Sequence, residues 1–403
     1  MTSRESIITA DLPIVDIARP DFWQDIHRPL AEARDRSPAM RTTDGAIYLL
    51  RADDVETMLR DGRFLASDLL GLQGLRSGPV WEWWMRVMFS RNPPDHTRLR
   101  RLVGKAFTSR RVAGFRGEIR SQVTDLLEPA LASGKVEMIA DVTHVLASNV
   151  TAAFIGIPRE DWLTFREWTS DIGLAFGAAV DPDIRRRVET ALAELDTYVN
   201  GLLERRRSNP SPDLLSALLA VEDAGDRLSR QELVDLVENL MFAGHDTTRS
   251  GIAVVMKVLA ENADAFARLR TDRSLLPATV DEALRYENII FTTVREASED
   301  LEIADLHVSA GTPLAACFPS ACRDSRRYSN PDRVDITRRE NSTVFGVGIH
   351  FCLGAALARA EMQEVVDQMV HACSSVELAE PVRWTPLAHI RRPEEVRLAL
   401  TVV

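Results

Sequence analysis

The amino-acid sequence predicts a mainly α-helical protein with a smaller β portion. Several segments between residues 95 and 260 carry apolar residues at three- and four-residue spacing, which is typical of amphipathic helices. A β-rich stretch covers 292–318, and apolar and polar residues alternate over 394–403. Hydrophobic residues make up 45% of the chain and charged residues 27%, as in ordinary globular proteins, so a disordered chain is excluded.

The elements can be assigned in order along the chain. A short strand is predicted over 46–51, and an amphipathic helical turn follows it through Val55, Met58 and Leu59. A capping box from Ser229 to Glu232 opens a long helix that reaches about residue 260. The remaining predicted helices are 95–107, 116–133, 139–155, 160–177, 183–207, 276–287 and 353–371, and the remaining β segments lie within 292–318 and 376–403. Residues 319–344 read as irregular.

Charge and composition exclude several classes of protein. The chain has 49 Lys+Arg and 60 Asp+Glu, a net charge of −11, which argues against nucleic acid or an anionic membrane as the main partner. There is no charge-free apolar run of about 20 residues, the length that a membrane span needs. The N-terminal segment lacks the apolar core of a signal peptide, and four cysteines are too few for a disulfide framework. We expect a cytoplasmic protein that is a monomer.

The motif FGVGIHFCLG at 345–354 carries the strongest chemical signal. Its glycines permit a tight turn, and Cys352 comes just before a predicted helix whose N-terminus stabilises a thiolate. Such a thiolate can bind a metal, and His350 can donate a hydrogen bond to an anionic group beside it. The alternative is a buried structural cysteine.

The segment resembles the haem-binding loop of the cytochrome P-450 family, the haem-thiolate monooxygenases. The resemblance implies that Cys352 is the proximal iron ligand of haem b and that Phe345, Gly348, His350 and Gly354 contact the haem. It also implies the fold of that family, a triangular prism of helices around a buried haem. Although the chain length alone suggests two or three domains, the motifs spread around one cofactor, so we expect a single domain over 1–403.

Glu282 and Arg285 lie three residues apart on one predicted helical face, where they can form an ordinary surface ion pair. Beside the cysteine motif they resemble the Glu-x-x-Arg of the same family. The resemblance implies a structural role beneath the haem, completed by Arg333 from the irregular stretch. The sequence departs from the family pattern at Cys322 and Val334, which touch the scaffold.

The motif AGHDTT at 243–248 lies midway along the long helix, where Gly and Thr are unfavourable. Leu240, Ala243, Gly244 and Thr247 share one face and could look onto the haem. The motif resembles the oxygen-activation site of the family, which implies that Asp246 and Thr247 deliver protons to dioxygen. The alternative is a Thr hydroxyl bonded back to a helical carbonyl in a kink. We interpret His245 as a polar residue at the helix surface or in the surroundings of the site.

Three further positions match residues that hold the haem propionates in the family. His96 and Arg100 lie four apart on one helical face, which could also be an ordinary solvated basic face. Arg295 lies on the first strand after the Glu-x-x-Arg helix. With His350, these residues give four donors for two carboxylates.

The aromatic and methionine run near 80–89 is the candidate substrate loop, although core or lid packing would explain it equally well. The resemblance adds 172–180 and 288–292 to the pocket lining. The candidate pocket residues are Trp84, Val87, Met88, Phe89, Phe176, Leu240, Ala243, Ile290 and Phe291.

The sequence therefore predicts a monooxygenase that uses O₂ and two electrons, ultimately from NAD(P)H, to hydroxylate, O-dealkylate or epoxidise an apolar, bulky or ring-bearing small molecule. No fused reductase fits the length, so a ferredoxin-type carrier with its reductase is expected to dock near Arg98, Arg101 and Lys105. The alternatives are a peroxide-driven or non-oxygenating haem-thiolate enzyme, against which Asp246 and Thr247 argue, and a haem sensor or carrier without turnover.

Overall fold

A computed structural model describes residues 12–176, 182–223, 228–386 and 389–403. Its helices are α1 (His27–Arg36), α2 (Ala52–Arg60), α3 (Leu69–Leu72), α4 (Pro79–Arg86), α5 (Asp95–Ala106), α6 (Ser109–Ser133), α7 (His144–Ile155), α8 (Trp162–Gly173), α9 (Pro182–Ser208), α10 (Leu214–Asp223), α11 (Arg230–Glu261), α12 (Ala263–Thr271), α13 (Leu276–Tyr286), α14 (Phe318–Ala321) and α15 (Ala355–Ala372). Its strands are β1 (Ile14–Val15), β2 (Ala39–Thr42), β3 (Ile47–Leu49), β4 (Phe64–Ala66), β5 (Lys135–Glu137), β6 (Thr292–Ala297), β7 (Leu301–Ile303), β8 (Leu306–Val308), β9 (Pro313–Cys317), β10 (Cys373–Leu378) and β11 (Arg397–Val402).

The chain forms two compact units. The first takes Met1–Ser67, Ser274–Cys352 and Val382–Glu394. Its main sheet has six strands in the order β1-β2-β3-β9-β6-β4, and β7 and β8 form a separate hairpin. In the sheet, β3 pairs in parallel with β9, while β6 pairs antiparallel with β9 in a register that places Thr292 opposite Cys317. Apolar side chains of the sheet pack with those of α1, α2 and α14.

The second unit takes Asp68–Arg273, Leu353–Pro381 and Glu395–Val403 and is mainly helical. Its sheet has the order β10-β11-β5, with both neighbouring pairs antiparallel. The 32-residue helix α11 packs against α7, α8, α9 and α15 within this unit. Because neighbours cover it on several sides, every residue from Ser250 to Leu259 is buried.

The start of α11 follows from its sequence. The Ser229 hydroxyl accepts a hydrogen bond from the Glu232 N–H, and the Glu232 carboxylate accepts one from the Ser229 N–H. This reciprocal capping box satisfies two backbone N–H groups at the helix end, which would otherwise depend on water for a hydrogen bond. The predicted capping box is confirmed.

Most predicted elements are confirmed, with shifts at their ends. Helix α6 begins at Ser109 rather than at residue 116, because the Thr108 side chain caps it. Helices α1, α3, α4, α10, α12 and α14 were not predicted, and neither were the small strands β1, β2, β4 and β5. Helix α14 extends into the stretch 319–344 that was predicted to be irregular. Asp95 is the first residue of α5, and its side chain does not cap the helix.

Among the described residues, one helical segment, Met138–Ile155, is long and apolar enough to cross a membrane by length and composition alone. It consists of a π-helical turn over Met138–Thr143 followed by α7. Within the protein, 61% of this segment is buried, as expected for a helix of a protein core.

Candidate active site

A tight loop presents Cys352 in the first unit. The Cys352 N–H donates to the Phe345 carbonyl across 2.9 Å, which closes the turn, and the Cys352 side chain is exposed. Gly348 has a φ of +72°, and a Cβ there would lie 2.3 Å from the Leu59 carbonyl oxygen at the end of α2. Only glycine therefore fits where the loop passes α2. The loop thus leaves its thiol available as a ligand.

Arg295 lies on β6 of the same unit and is 4% exposed. Its guanidinium donates to the Thr293 hydroxyl at 3.1 Å and the Val294 carbonyl at 2.9 Å. Burial lowers the pKa of Arg295 to about 10. Among the described residues no carboxylate forms an ion pair with Arg295, so this buried cation is suited to an anionic group of a ligand.

The other residues predicted to bind the propionates, together with the predicted haem contact Gly354, divide between the two units. His96 is buried and Arg100 half-buried on α5 of the second unit. His350 is half-buried beside Cys352 in the first unit, and Gly354 is the residue before α15 in the second.

A stripe along α11 is accessible, whereas most of the helix is buried. Ala243 is exposed, and Leu240 and Thr247 are partly exposed, whereas Met241 and His245 are buried. The three accessible residues are spaced three and four apart and therefore share one face. Two apolar side chains and a hydroxyl thus line an open face in the middle of a buried helix.

Asp246 and Thr247 stand at the C-terminal end of this stripe. The Thr247 hydroxyl donates to the Ala243 carbonyl at 2.8 Å, so the alternative interpretation of a back-bonded Thr describes its geometry in this structure. The oxygen keeps acceptor capacity in this arrangement. Asp246 is buried, and its Oδ1 lies 3.2 Å from Arg249 Nη2 one turn further on.

Gly244 faces a neighbouring helix. A Cβ at this position would come within 2.6 Å of Thr151 Oγ1 and 3.1 Å of Thr151 Cγ2 on α7. The absence of a side chain therefore allows α11 and α7 to approach closely. Gly244 thus has a role in helix packing, and its place on the face toward the cofactor stays a prediction.

His245 is 1% exposed and does not lie at the helix surface as one of the two predicted readings had it. Its Nε2 lies 3.2 Å from His144 Nδ1 on α7, and its Nδ1 lies 3.5 Å from the Thr169 hydroxyl on α8. The histidine is thus bonded to two helices packed against α11.

Glu282 and Arg285 form a buried bidentate ion pair on α13, with N–O distances of 2.7 and 2.9 Å. The third member is Arg338, whose Nε donates to Glu282 Oε2 at 3.0 Å. Arg333 was predicted for this role, but its side chain is exposed and only its carbonyl accepts from Arg285. The prediction of Arg333 is wrong because the irregular stretch returns to Glu282 at Arg338, five residues later in the chain than the motif spacing suggested.

Arg285 also donates to the carbonyls of Cys322 and Pro331, so the buried network fixes the irregular stretch that precedes the cysteine loop. Sequence reasoning missed Arg338. Its signal was present as a second arginine shortly after Arg333, but sequence spacing does not distinguish the two.

The candidate pocket residues are placed unevenly. Trp84, Val87 and Met88 are buried, whereas Phe89 is 42% exposed and lies 5.5 Å from Trp84 between ring centroids. Ile290 is partly buried. The side chain of Phe176 lies outside the described residues.

Phe291 belongs to the core of the first unit. Its ring centroid lies 4.8 Å from that of Trp23 and 5.9 Å from those of Phe22 and Tyr48. This aromatic cluster accounts for the complete burial of Phe291, so we withdraw it from the candidate pocket.

The residues present fit a haem. Cys352 offers one exposed thiol, and Arg295 is a buried cation suited to a propionate. No group of three or more His, Cys, Asp or Glu in the described part of the chain could hold a metal ion, so iron at Cys352 would depend on the porphyrin for its other ligands.

Comparison with known proteins identifies the family. A family model described as Cytochrome P-450 matches residues 81–386. Cytochrome P-450 107B1 of Saccharopolyspora erythraea is 35% identical over 393 residues, which cover 93% of this chain and 95% of the relative. Mycinamicin IV hydroxylase/epoxidase of Micromonospora griseorubida is 31% identical over 376 residues, covering 91% and 93%.

The fold agrees with the sequence comparison. The crystal structure of CalO2 superimposes with a TM-score of 0.90 at 28% identity, covering 96% of this chain and 99% of that chain. The chain belongs to the cytochrome P-450 family and is a haem-thiolate monooxygenase of the bacterial type.

Proposed function

We propose that this monooxygenase inserts one oxygen atom of O₂ into an apolar, bulky or ring-bearing small molecule, with electrons that come from NAD(P)H through a ferredoxin-type carrier. The observation that carries the proposal is the exposed Cys352 thiol on a loop closed by its own N–H bond to Phe345. Haem b supplies the binding and reduction of dioxygen when it is bound.

The chain's own residues have separate roles in this proposal. Cys352 holds the iron as a thiolate, and His96, Arg100, Arg295 and His350 bind the propionates. Leu240 and Ala243 provide an apolar face that excludes water. Asp246 and Thr247 transfer protons. Asp246 exchanges protons with its surroundings, and the Thr247 hydroxyl donates them toward the accessible face of α11.

The test of the haem-thiolate assignment is the spectrum of the dithionite-reduced, CO-bound protein. Thiolate ligation is expected to shift the Soret band far to the red. In Cys352→Ser this red-shifted band should be lost, whereas Cys373→Ser, at a buried free cysteine, should retain it. A red-shifted band that survives in Cys352→Ser would refute the proposal.

Removing the Thr247 hydroxyl is expected to uncouple oxygen consumption from product formation. Thr247→Ala should lower product per O₂ by about tenfold or more, because a positioned proton donor contributes at least that much. Thr248→Ala is the matched control, since Thr248 is the next residue of α11 and is buried. The measurement is product and peroxide per O₂ consumed, and full coupling in Thr247→Ala would remove this residue from the mechanism.

The substrate class is inferred from α4 and the turn that follows it. Trp84 and Phe89 are in ring contact, and Phe89 remains substantially exposed, so an aromatic surface is available to an apolar ligand. The name of the Micromonospora relative as a hydroxylase and epoxidase supports these two reaction types. A substrate-induced spin-state shift, measured across a panel of macrolides, steroids and fatty acids, would identify the class.

An acidic electron carrier is proposed to dock on α5. Arg101 and Lys105 are exposed there, while Arg98 is partly buried and pairs with Glu232. Arg101→Glu and Lys105→Glu should therefore slow reduction by a ferredoxin about tenfold at low ionic strength. Stopped-flow reduction rates test this, and Lys135→Glu on β5 is the control for an exposed charge reversal elsewhere in the same unit. Equal rates in all variants would exclude this docking surface.

We further propose a single cytochrome P-450 domain over 1–403 in a cytoplasmic monomer. Two observations support the first part: the relatives match more than nine-tenths of the chain, and the motifs for one cofactor extend from His96 to Cys352. Sedimentation of the haem-loaded protein would test the monomer.

A further inference from the structure

The pair formed by His144 and His245 lies in the second unit, directly behind the oxygen-activation motif. His245 is almost completely buried on α11, whereas His144 is half-buried on α7. Their rings meet with Nε2 of His245 3.2 Å from Nδ1 of His144. The roles proposed above give this pair no function, although His245 directly precedes Asp246 in the chain.

The hydrogen bonds around the pair favour one set of tautomers. The Thr169 hydroxyl lies 3.1 Å from both the Phe165 and the Arg166 carbonyl, to which it can donate its single proton. In that arrangement the hydroxyl accepts from His245 Nδ1 at 3.5 Å, Nε2 of His245 is an acceptor, and His144 Nδ1–H is the donor. The reverse tautomers keep the contact between the two rings with its direction inverted.

Charges around the pair favour its neutral form. Burial lowers the pKa of His245 to about 4, and burial also lowers the pKa of His144. Arg249 of α11 and Arg166 of α8 act in the same direction, and Asp246 acts against them. A neutral donor and a neutral acceptor give a hydrogen bond with one defined direction.

The pair also anchors one particular turn of α11. Gly244 packs against Thr151 of α7, and the next residue, His245, is bonded to His144 of the same helix. Asp246 follows immediately and is held by Arg249. Two consecutive attachments to α7 thus precede the two residues that handle protons.

We propose that His144 and His245 are positioning residues that hold the α11 turn in one conformation, so that Asp246 and Thr247 keep one orientation toward the ligand of the iron. This inference rests on the proposed function, because it assigns the pair to the same proton-delivering site. Neither histidine touches the reacting atoms.

The experiment uses the C–O stretching band of the reduced, CO-bound holoenzyme, which responds to the polar groups near the bound CO and requires neither substrate nor redox partner. The wild type should show one narrow band. His144→Leu removes the donor and should broaden or split the band, because the turn then samples several conformations. His144→Asn places an amide N–H at the position of Nδ1 and should restore the single band.

His307→Leu, at a half-buried histidine of the β7–β8 hairpin, is the control and should match the wild type. The proposal is overturned if His144→Leu matches the wild type in band position and width. It is equally overturned if His144→Asn is as broad as His144→Leu, since imidazole volume rather than the hydrogen bond would then be responsible.

A second measurement keeps the inference testable if His144→Leu does not fold. In ¹⁵N-histidine spectra of the CO-bound wild type, only one of the two facing nitrogens, Nε2 of His245 and Nδ1 of His144, should carry a proton. Spectra in which both or neither of them is protonated would exclude the hydrogen bond and overturn the proposal. A wild type without the red-shifted Soret band would contradict the proposed function instead, and the protonation of the two facing nitrogens would still test the geometry of the pair.

Discussion

At the scale of the residue, the sequence identified some of the residues of the candidate site but not the residues that they contact. Cys352 and the acid–alcohol pair were recognisable from their motifs, because the motif residues are contiguous. Hydrogen-bond partners that come from a different helix or loop could not be recognised in the sequence. Arg338 beside Glu282 and His144 beside His245 are brought there by tertiary packing, which leaves no local pattern in the sequence.

Gly244 offers a test of close helix packing. Gly244→Ala is expected to destabilise the protein by about 1–2 kcal/mol, because the new Cβ overlaps both Oγ1 and Cγ2 of Thr151 and overpacking outweighs the better helix propensity of alanine. Thr151→Ala in the same chain should recover most of this loss. Urea unfolding measures the change.

The matched control is Gly117→Ala on α6, where nothing lies within 4 Å of a new Cβ. That variant should gain about 0.5–1 kcal/mol, since only helix propensity changes. Equal effects at the two glycines would show that the contact with Thr151 is unimportant.

At the scale of the element, the sequence predicted what local signals specify. The start of α11 followed from its capping box, and β6 and β9 from their β-forming residues. Helix α12 was missed because only Ala265, Phe266 and Leu269 are buried in it, too few to establish a period. The start of α6 was placed too late because its first turns carry exposed residues, and its cap at Thr108 was overlooked.

The irregular stretch before the cysteine loop depends on one buried ion pair. Arg338→Ala should cost about 1.5–3 kcal/mol, because it removes one of the two arginines that donate to the buried Glu282 carboxylate, while Arg285 stays paired with that carboxylate. Arg333→Ala removes an exposed side chain and should change stability by less than about 0.5 kcal/mol. Thermal unfolding of both variants would distinguish them, and a reversed order would restore Arg333 to the role first predicted.

At the scale of the whole molecule, composition correctly indicated a folded protein and the spacing of apolar residues a mainly helical one, while the net charge said little about individual sites. The net charge of −11 does not reveal that Glu238 of α11 is buried, with Oε1 lacking a hydrogen-bond partner. Burial, Asp196 and Asp235 raise the pKa of Glu238 to about 8. Such environments arise only on folding, which is why sequence reasoning did not find this carboxyl.

Glu238 should make global stability depend on pH. The pKa of Glu238 in the folded protein lies above its unfolded value of 4.5. The stabilisation that the protonated carboxyl gives to the folded state is therefore fully present below pH 4.5 and is lost as the pH rises toward 8. Glu238→Gln mimics the protonated form, and the stability difference from the wild type should grow by up to ~1.4 kcal/mol per pH unit across that range.

Urea midpoints at pH 5, 6.5 and 8 would measure this difference. Glu128→Gln, at an exposed position of α6, is the control and should differ from the wild type by the same amount at every pH. A constant difference for Glu238→Gln would mean that the carboxyl is ionised in the folded protein.

The length of α11 has a consequence for its motif. The helix spans 32 residues, or about 48 Å, and the AGHDTT turn lies near its centre with roughly three turns on each side. Fraying starts at helix ends, so the backbone amides of residues 243–248 should exchange with deuterium only when the whole unit opens. The two residues proposed to handle protons, Asp246 and Thr247, would then lie on backbone that is protected from local unfolding.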